Sequence, residues 1–198
     1  SQIQLGIKER RGLLWWPSYL HMNLVSSKYK STLNDTHKLT KNEWGGGHSV
    51  DKLPQYESLL KSLEVQSILD YGCANGKFKI YMDKNKPQYE VYEYDPGITG
   101  KDALPKPCDF VVCCDVMEHV EPELLSNVMN HLKGLVTKAG FFNISTKEAV
   151  TLLADGTNAH KIIQDGDWWT SLFKEYFEVT DVEISRIETN FKVFPKSL

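Results

Sequence analysis

The sequence predicts an α/β doubly wound domain, a mostly parallel sheet closed by a C-terminal antiparallel hairpin. Three observations predict it. Short apolar runs alternate with segments of helical period, the pattern of repeated strand-helix units. DFVVCCDV (109–116) is continuously apolar, as a strand buried on both faces of a parallel sheet must be. The chain ends on two strand-like stretches, VTDVEISRIE and NFKVFP, that pair as a hairpin.

Along the chain, residues 1–50 show weak periodicity and finish on Trp44-Gly45-Gly46-Gly47-His48, a loop or hinge signal. They are expected to form an arm or lid, with residues 51–198 as a single domain. Leu53 to Leu63 reads as a helix: Pro54 suits a first turn, and Tyr56, Leu59, Leu60 and Leu63 share a face. VQSILDY (65–71) is the first strand, and GCANGKFKIYM turns from it into a helix that stops before Pro87. YEVYEYD (89–95) is the second strand, ended by Pro96-Gly97. After DFVVCCDV comes a helix over 121–136, whose stripe is Leu124, Leu125, Val128, Leu132, Leu135 and Val136, with His131 on a solvated flank. Gly140 opens the strand FFNIS, and Trp168 to Phe177 reads as the last helix.

The 198 residues suffice for one well-buried core and are few for two. No apolar run approaches the ~18–20 residues of a membrane span. The first residues lack a signal-peptide pattern, so the expected location is cytoplasmic, with no membrane partner. The four cysteines, 73, 108, 113 and 114, contain no CxxC pair and read as reduced, buried thiols. The net charge of −3 is uneven: residues 1–41 carry seven basic against two acidic side chains, a net +5, which leaves −8 on the rest. A basic arm holding Trp15, Trp16, Tyr19 and Tyr29 suits either a solvated lid or contact with RNA or another anion.

The segment ILDYGCANG (68–76) carries the chemistry. A strand, a glycine turn, a helix and then an acid form a nucleotide-binding arrangement. Gly72 and Gly76 let the backbone turn sharply and approach a ligand closely, and the helix start offers free N–H groups. Asp95 lies 19 residues past Gly76 at the end of the second strand, where it can accept hydrogen bonds from both ribose hydroxyls. A nicotinamide pattern, G-x-G-x-x-G from Gly72, needs glycines where the chain has Ala74 and Lys77, and no G-K-S/T follows for a phosphate loop.

ILDYGCANG resembles motif I of the class I S-adenosylmethionine-dependent methyltransferases, with Ala74 in place of the middle glycine. VYEYDP is similar to their second-strand acid segment and CDFVVCCDVMEHV to their fourth-strand region. The resemblance implies a Rossmann-like methyltransferase sheet and the cofactor S-adenosylmethionine. It places Asp70, Gly72, Cys73, Ala74 and Gly76 around the methionine end, Asp95 on the ribose, and Cys114-Asp115-Val116 beneath the sulfonium. The chain departs from the family between its second and fourth strands. Only a few residues separate Asp95 from Asp102-Ala103, which imitates an adenine-contacting pair, so a reduced sheet or a loop replaces the usual helix.

For the acceptor, His119 stands just past the fourth-strand region at the carboxyl edge of the sheet, as base, substrate contact or pocket former. ADGTNAHKIIQDGDWW (154–169) is a polar loop expected to return over that edge, bringing Asn158 and His160. It resembles a loop of uncharacterised phage-type and bacterial methyltransferases. Of Trp168 and Trp169, one is expected in the core and one in the pocket. His37 or Trp44 can close over the cofactor or simply pack. Asp115, Glu118, His119 and His160 resemble the metal-binding set of small-RNA 2′-O-methyltransferases, but the same pattern occurs in metal-free relatives, so no metal ligand is assigned. The leading expectation is transfer to an O or N atom of a small molecule, with His119 and His160 as acid-base residues. The alternatives are an RNA methyltransferase that uses the basic arm and a non-catalytic cofactor-binding partner protein.

Overall fold

The computed structural model describes residues 22–41 and 43–196. The expected basic arm residues Lys8, Arg10 and Arg11, with Trp15, Trp16, Tyr19 and His21, lie outside them. Helix α1 spans Ser27–Leu39, the short α2 His48–Asp51 and α3 Leu53–Ser62. Strand β1 (Ser67–Tyr71) leads to α4 (Lys77–Asn85), β2 (Glu90–Tyr94) and β3 (Cys108–Cys114). Two 3-10 turns, Met117–His119 and Pro122–Leu124, precede α5 (Leu125–Leu135). Then come β4 (Val136–Ser145), α6 (Gly166–Tyr176), β5 (Phe177–Ile184) and β6 (Glu188–Pro195).

The six strands order as β2-β1-β3-β4-β6-β5. The first four are parallel, and β6 inserts antiparallel between β4 and β5. This is the mostly parallel sheet with a terminal antiparallel pair that the sequence predicts. Between β2 and β3, residues 95–107 hold neither helix nor strand, so β2 is an edge. β4 starts at Val136, four residues before the predicted Gly140, because α5 passes directly into it without a turn.

Alternation along the strands sorts the core into two layers. On one face Leu69, Val111, Cys113 and Phe142 meet Leu132 of α5 and Trp169 and Phe173 of α6. On the other, Ile68, Phe110, Val112, Cys114 and Phe141 meet Tyr56 and Leu60 of α3 and Phe78 of α4. All four cysteines are free and buried, and the adjacent pair 113–114 divides between the two faces.

Helix α1 is the element the periodicity did not reveal. Its inner stripe is Tyr29, Leu33, Thr36 and His37, half of it polar. Ser26 caps it, accepting a hydrogen bond from the Tyr29 N–H at 3.1 Å while its own N–H and hydroxyl donate to Glu121. Tyr29 and Leu33 join Leu153 and Ala159 in a small third cluster, which ties the helix to the 149–160 loop.

His131 corrects the sequence reading. It is buried on α5, with its Nδ1 3.1 Å from the Tyr71 hydroxyl, because the inner surface of this helix is wider than its leucine stripe. Burial lowers its pKa to about 4. Between the ordinary histidine value near 6.5 and about 4, the unfolded chain therefore takes up a proton that the folded chain refuses. The residue's contribution to stability is complete above that window and declines as pH falls through it. Urea unfolding of wild type and His131→Gln at pH 7 and pH 5 should show a smaller acid-induced loss in the variant; equal losses would contradict this assignment.

Candidate active site

A cavity of about 400 Å³ opens at the carboxyl edge of the parallel strands, roofed by α1, the glycine loop before α2 and the 149–160 segment. Gly72, Ala74, Asp95, Asp115, His119 and His160 line it. Of the other sequence-predicted cofactor residues, Asp70 and Cys73 are buried behind the loop, and Gly76 starts α4. Burial pushes the Asp70 carboxyl up to about 7, against a 3.0 Å hydrogen bond donated by the Ser49 hydroxyl.

The loop geometry follows from its residues. Gly72 has φ +84°, and an added Cβ would stand 2.2 Å from Cγ2 of Val116. Ala74, where the family motif has glycine, keeps the left-handed backbone at φ +44°, a conformation that costs an L-residue roughly 1–2 kcal/mol. That turn aims the Ala74 N–H at Asp95 Oδ2 (2.9 Å), while the Gly97 N–H reaches Oδ1 (2.8 Å). Burial raises the Asp95 pKa, and the two N–H donors and nearby His37 oppose the rise.

Gly46, at φ +82°, crosses directly over this loop; a Cβ there would lie 2.3 Å from Asn75 Oδ1 and 3.2 Å from the Cys73 carbonyl. The glycine run, read as a loop or hinge, is thus a loop that makes a close-packed crossing. It delivers Trp44 and His48 to the cavity. His48 Nδ1 lies 2.6 Å from Asp115 Oδ2, and that hydrogen bond raises the His48 pKa.

The far wall is made by two clasped turns. Asn158 Oδ1 accepts the N–H groups of Ala149 and His160, and its amide donates to the Ala149 carbonyl. The N–H groups of Lys161 and Ile162 bond the Glu118 carbonyl. His119 Nδ1 donates to the Ala159 carbonyl at 2.9 Å and His160 Nδ1 to the Lys147 carbonyl at 2.5 Å. A carbonyl only accepts, so Nδ1 carries a proton in both rings and Nε2 is the nitrogen left for the cavity. The rings meet edge to face at 4.8 Å, and Trp44 abuts His119 at 5.5 Å. Burial, reinforced by His160, lowers the His119 pKa to about 4, so it is neutral at pH 7.

Glu118 is fully buried beside this pair, accepting the Ser145 N–H at 2.7 Å; burial and then Asp115 raise its pKa well above the carboxylate range. Candidate ligand atoms of Glu118, His119 and His160 lie within 4.8 Å of one another, while Asp115 turns toward His48.

Two expectations do not hold. Trp169 is buried in the core and Trp168 is part-exposed on α6, and neither lines the cavity; Trp44 supplies the aromatic wall instead. The first turn of α6 packs on Ile184 and Thr189, and from it Trp169 turns into the core layer beneath the sheet while Trp168 turns to solvent. Asp102 of the adenine-like pair is also outside the cavity, ion-paired to Lys30 at 2.7 Å.

The residues present fit an adenosine-bearing cofactor: an acid held by two N–H groups, a glycine turn with no room for a side chain, and a buried histidine nitrogen, His37 Nδ1, that has no partner among the described residues. A family model described as "Methyltransferase domain" matches residues 47–182. No curated protein matches the sequence. Among solved structures, the chain is similar to the 1,6-didemethyltoxoflavin-N1-methyltransferase of Burkholderia thailandensis, at TM-score 0.61 and 14% identity over 89% of this chain and 93% of that one. It is also similar to the magnesium protoporphyrin IX methyltransferase of Synechocystis PCC 6803, at TM-score 0.52 and 15% identity over 91% and 93%. Because the cradle is built of backbone, Gly72→Ala should destabilise the fold by about 2 kcal/mol through its positive φ and the Val116 contact, seen as a thermal midpoint several degrees lower. An unchanged midpoint would count against the loop geometry. With the cofactor loop, its acid and the matched span in agreement, the chain belongs to the class I S-adenosylmethionine-dependent methyltransferase-domain family.

Proposed function

We propose that the chain methylates an oxygen or nitrogen of a small molecule, with His119 and His160 acting on the acceptor. The observation that carries this reading is the pair of imidazoles whose Nδ1 atoms are tied to backbone carbonyls, leaving both Nε2 atoms for the cavity. The bound cofactor supplies an electrophilic methyl on a sulfonium. The protein's part is alignment and proton removal. Asp95, Gly72 and Ala74 hold the donor, with Asp70, Cys73 and Gly76 fixing the shape of the loop and Asp115 the floor near the methyl. Trp44 covers the acceptor, and His119, neutral at working pH, orients its X–H bond while His160 takes the proton. Such positioned base catalysis contributes ~10²–10⁴-fold.

A small acceptor is favoured over RNA by the lining charge. Asp95, Asp115, Glu121 and Glu148 face the cavity against Lys147 and His48, a field that repels phosphate. The structural neighbours named above for toxoflavin and porphyrin chemistry agree with a small acceptor. No metal is assigned to Glu118, His119 and His160, and Asp115, the fourth member of the expected set, is paired with His48.

The test incubates the protein with S-adenosylmethionine and a panel of low-mass phenols, catechols, aromatic amines and N-heterocycles, reading S-adenosylhomocysteine released. Turnover of at least one compound is expected, reduced ~10²–10⁴-fold in His160→Ala with cofactor affinity kept. Chelation with EDTA should leave the rate unchanged. Methylation of RNA but of no small compound would overturn the reading, and a chelation loss restored by Mg²⁺ would reassign Glu118, His119 and His160 as ligands.

A further inference from the structure

We propose that helix α1 supplies the adenosine wall that this shortened sheet lacks, and that His37 is its cofactor-reading residue. The sheet stops at β2, and residues 95–107 form a bare loop whose one adenine-like acid, Asp102, is turned away and paired with Lys30. One flank of the adenosine site would stand open if nothing replaced the missing elements.

Helix α1 occupies that flank. The Asn34 side-chain amide donates to the Gly97 carbonyl at 3.2 Å, and Lys30 reaches Asp102 at 2.7 Å, so the helix is fastened along the loop after Asp95. Leu33 packs so closely on Gly97 that a Cβ there would lie 2.8 Å from the Leu33 Cβ. Leu33 and His37, one helical turn apart, both line the cavity on the side of Asp95 and Pro96. Leu33 is thus an apolar surface for a planar base, and His37 is the polar group beside it.

The state of His37 points to a ligand. The residue is 5% exposed, and its Nδ1 is buried with no hydrogen-bond partner among the described residues. A buried ring nitrogen without a partner is costly and uncommon unless something outside the chain completes it. The ring is not free to turn away, because Trp44 packs against it with centroids 4.8 Å apart. It is also close enough to Asp95 for the carboxylate to act on its charge. An adenosine whose ribose is held by Asp95 would bring hydroxyl and base nitrogen groups to this nitrogen. The inference rests on the cofactor class and is independent of which acceptor is methylated.

Calorimetric titration of two ligands separates the possibilities: S-adenosylhomocysteine, and 5′-methylthioadenosine, which keeps the adenosine and lacks the amino acid. His37→Ala should weaken both by a similar factor, about ten-fold or more. His37→Asn, which keeps a polar atom near the Nδ1 position, should recover most of the loss. The unliganded thermal midpoint of each variant checks that folding is intact; should His37→Ala fail to fold, the asparagine variant and Leu33→Ala are read in its place, with Leu33→Ala weakening both ligands. Wild-type affinity for both ligands in a folded His37→Ala would overturn the proposal, as would a loss confined to S-adenosylhomocysteine, which would place the effect at the methionine end. Failure of the wild type to bind either ligand would instead strike the cofactor assignment itself.

Discussion

The arrangement depends on how one buried carboxylate is held. Asp95 ends the edge strand, and its two oxygens are taken by N–H groups from opposite sides, Ala74 in the glycine turn and Gly97 in the following loop. Each donor offsets part of the cost of burying a charge, and together they make the position of the carboxylate a consequence of backbone geometry. The turn must then keep its left-handed residues, and the loop must come close enough to pack on α1. The cofactor loop, the sheet edge and the N-terminal helix are joined through this group. On the proposed reading it is also the ribose acceptor, so the same hydrogen bonds that fold the site prepare it for the donor.

The acceptor side follows a different logic. There no sheet edge fixes the groups, and two irregular segments hold each other through backbone carbonyls. Asn158 fastens the base of the second segment, and Glu118 joins the two through its own carbonyl. Each histidine spends one nitrogen on this clasp and presents the other. The division of labour resembles that of other α/β folds, with a regular scaffold for the nucleotide and variable loops for the chemistry. Tyr29 couples the halves, because its hydroxyl donates to the His119 carbonyl from the helix that also carries His37.

The parts of this structure that were legible from sequence are those whose burial leaves an apolar period. The strands β1 and β3, the turn between β1 and α4 and the C-terminal hairpin all carry such a signal, and the short link after Asp95 announced the missing elements. Helix α1 did not, because Thr36 and His37 stand where a stripe would show leucine or valine. The same feature that hid the helix, a histidine on its inner face, is the one whose nitrogen, unpartnered among the described residues, points to a ligand. Trp168-Trp169 attracted attention by composition alone, yet a tryptophan pair on one helix turn points to two directions, one into the core and one toward solvent. His131 was misplaced for a related reason: a polar residue can be interior when a buried hydroxyl, here that of Tyr71, answers it. His119 and His160 were both found by residue type, but their facing geometry depends on loop hydrogen bonds that no periodicity encodes.

On the proposed reading the Asp95 carboxylate, fixed by the two N–H groups, holds the methyl donor. Isothermal titration of S-adenosylhomocysteine into wild type and Asp95→Ala, with circular dichroism to confirm that both are folded, tests it most directly. Micromolar-range binding by the wild type that disappears in the folded variant is the predicted result. Equal binding by the two proteins, or none by the wild type, would contradict it.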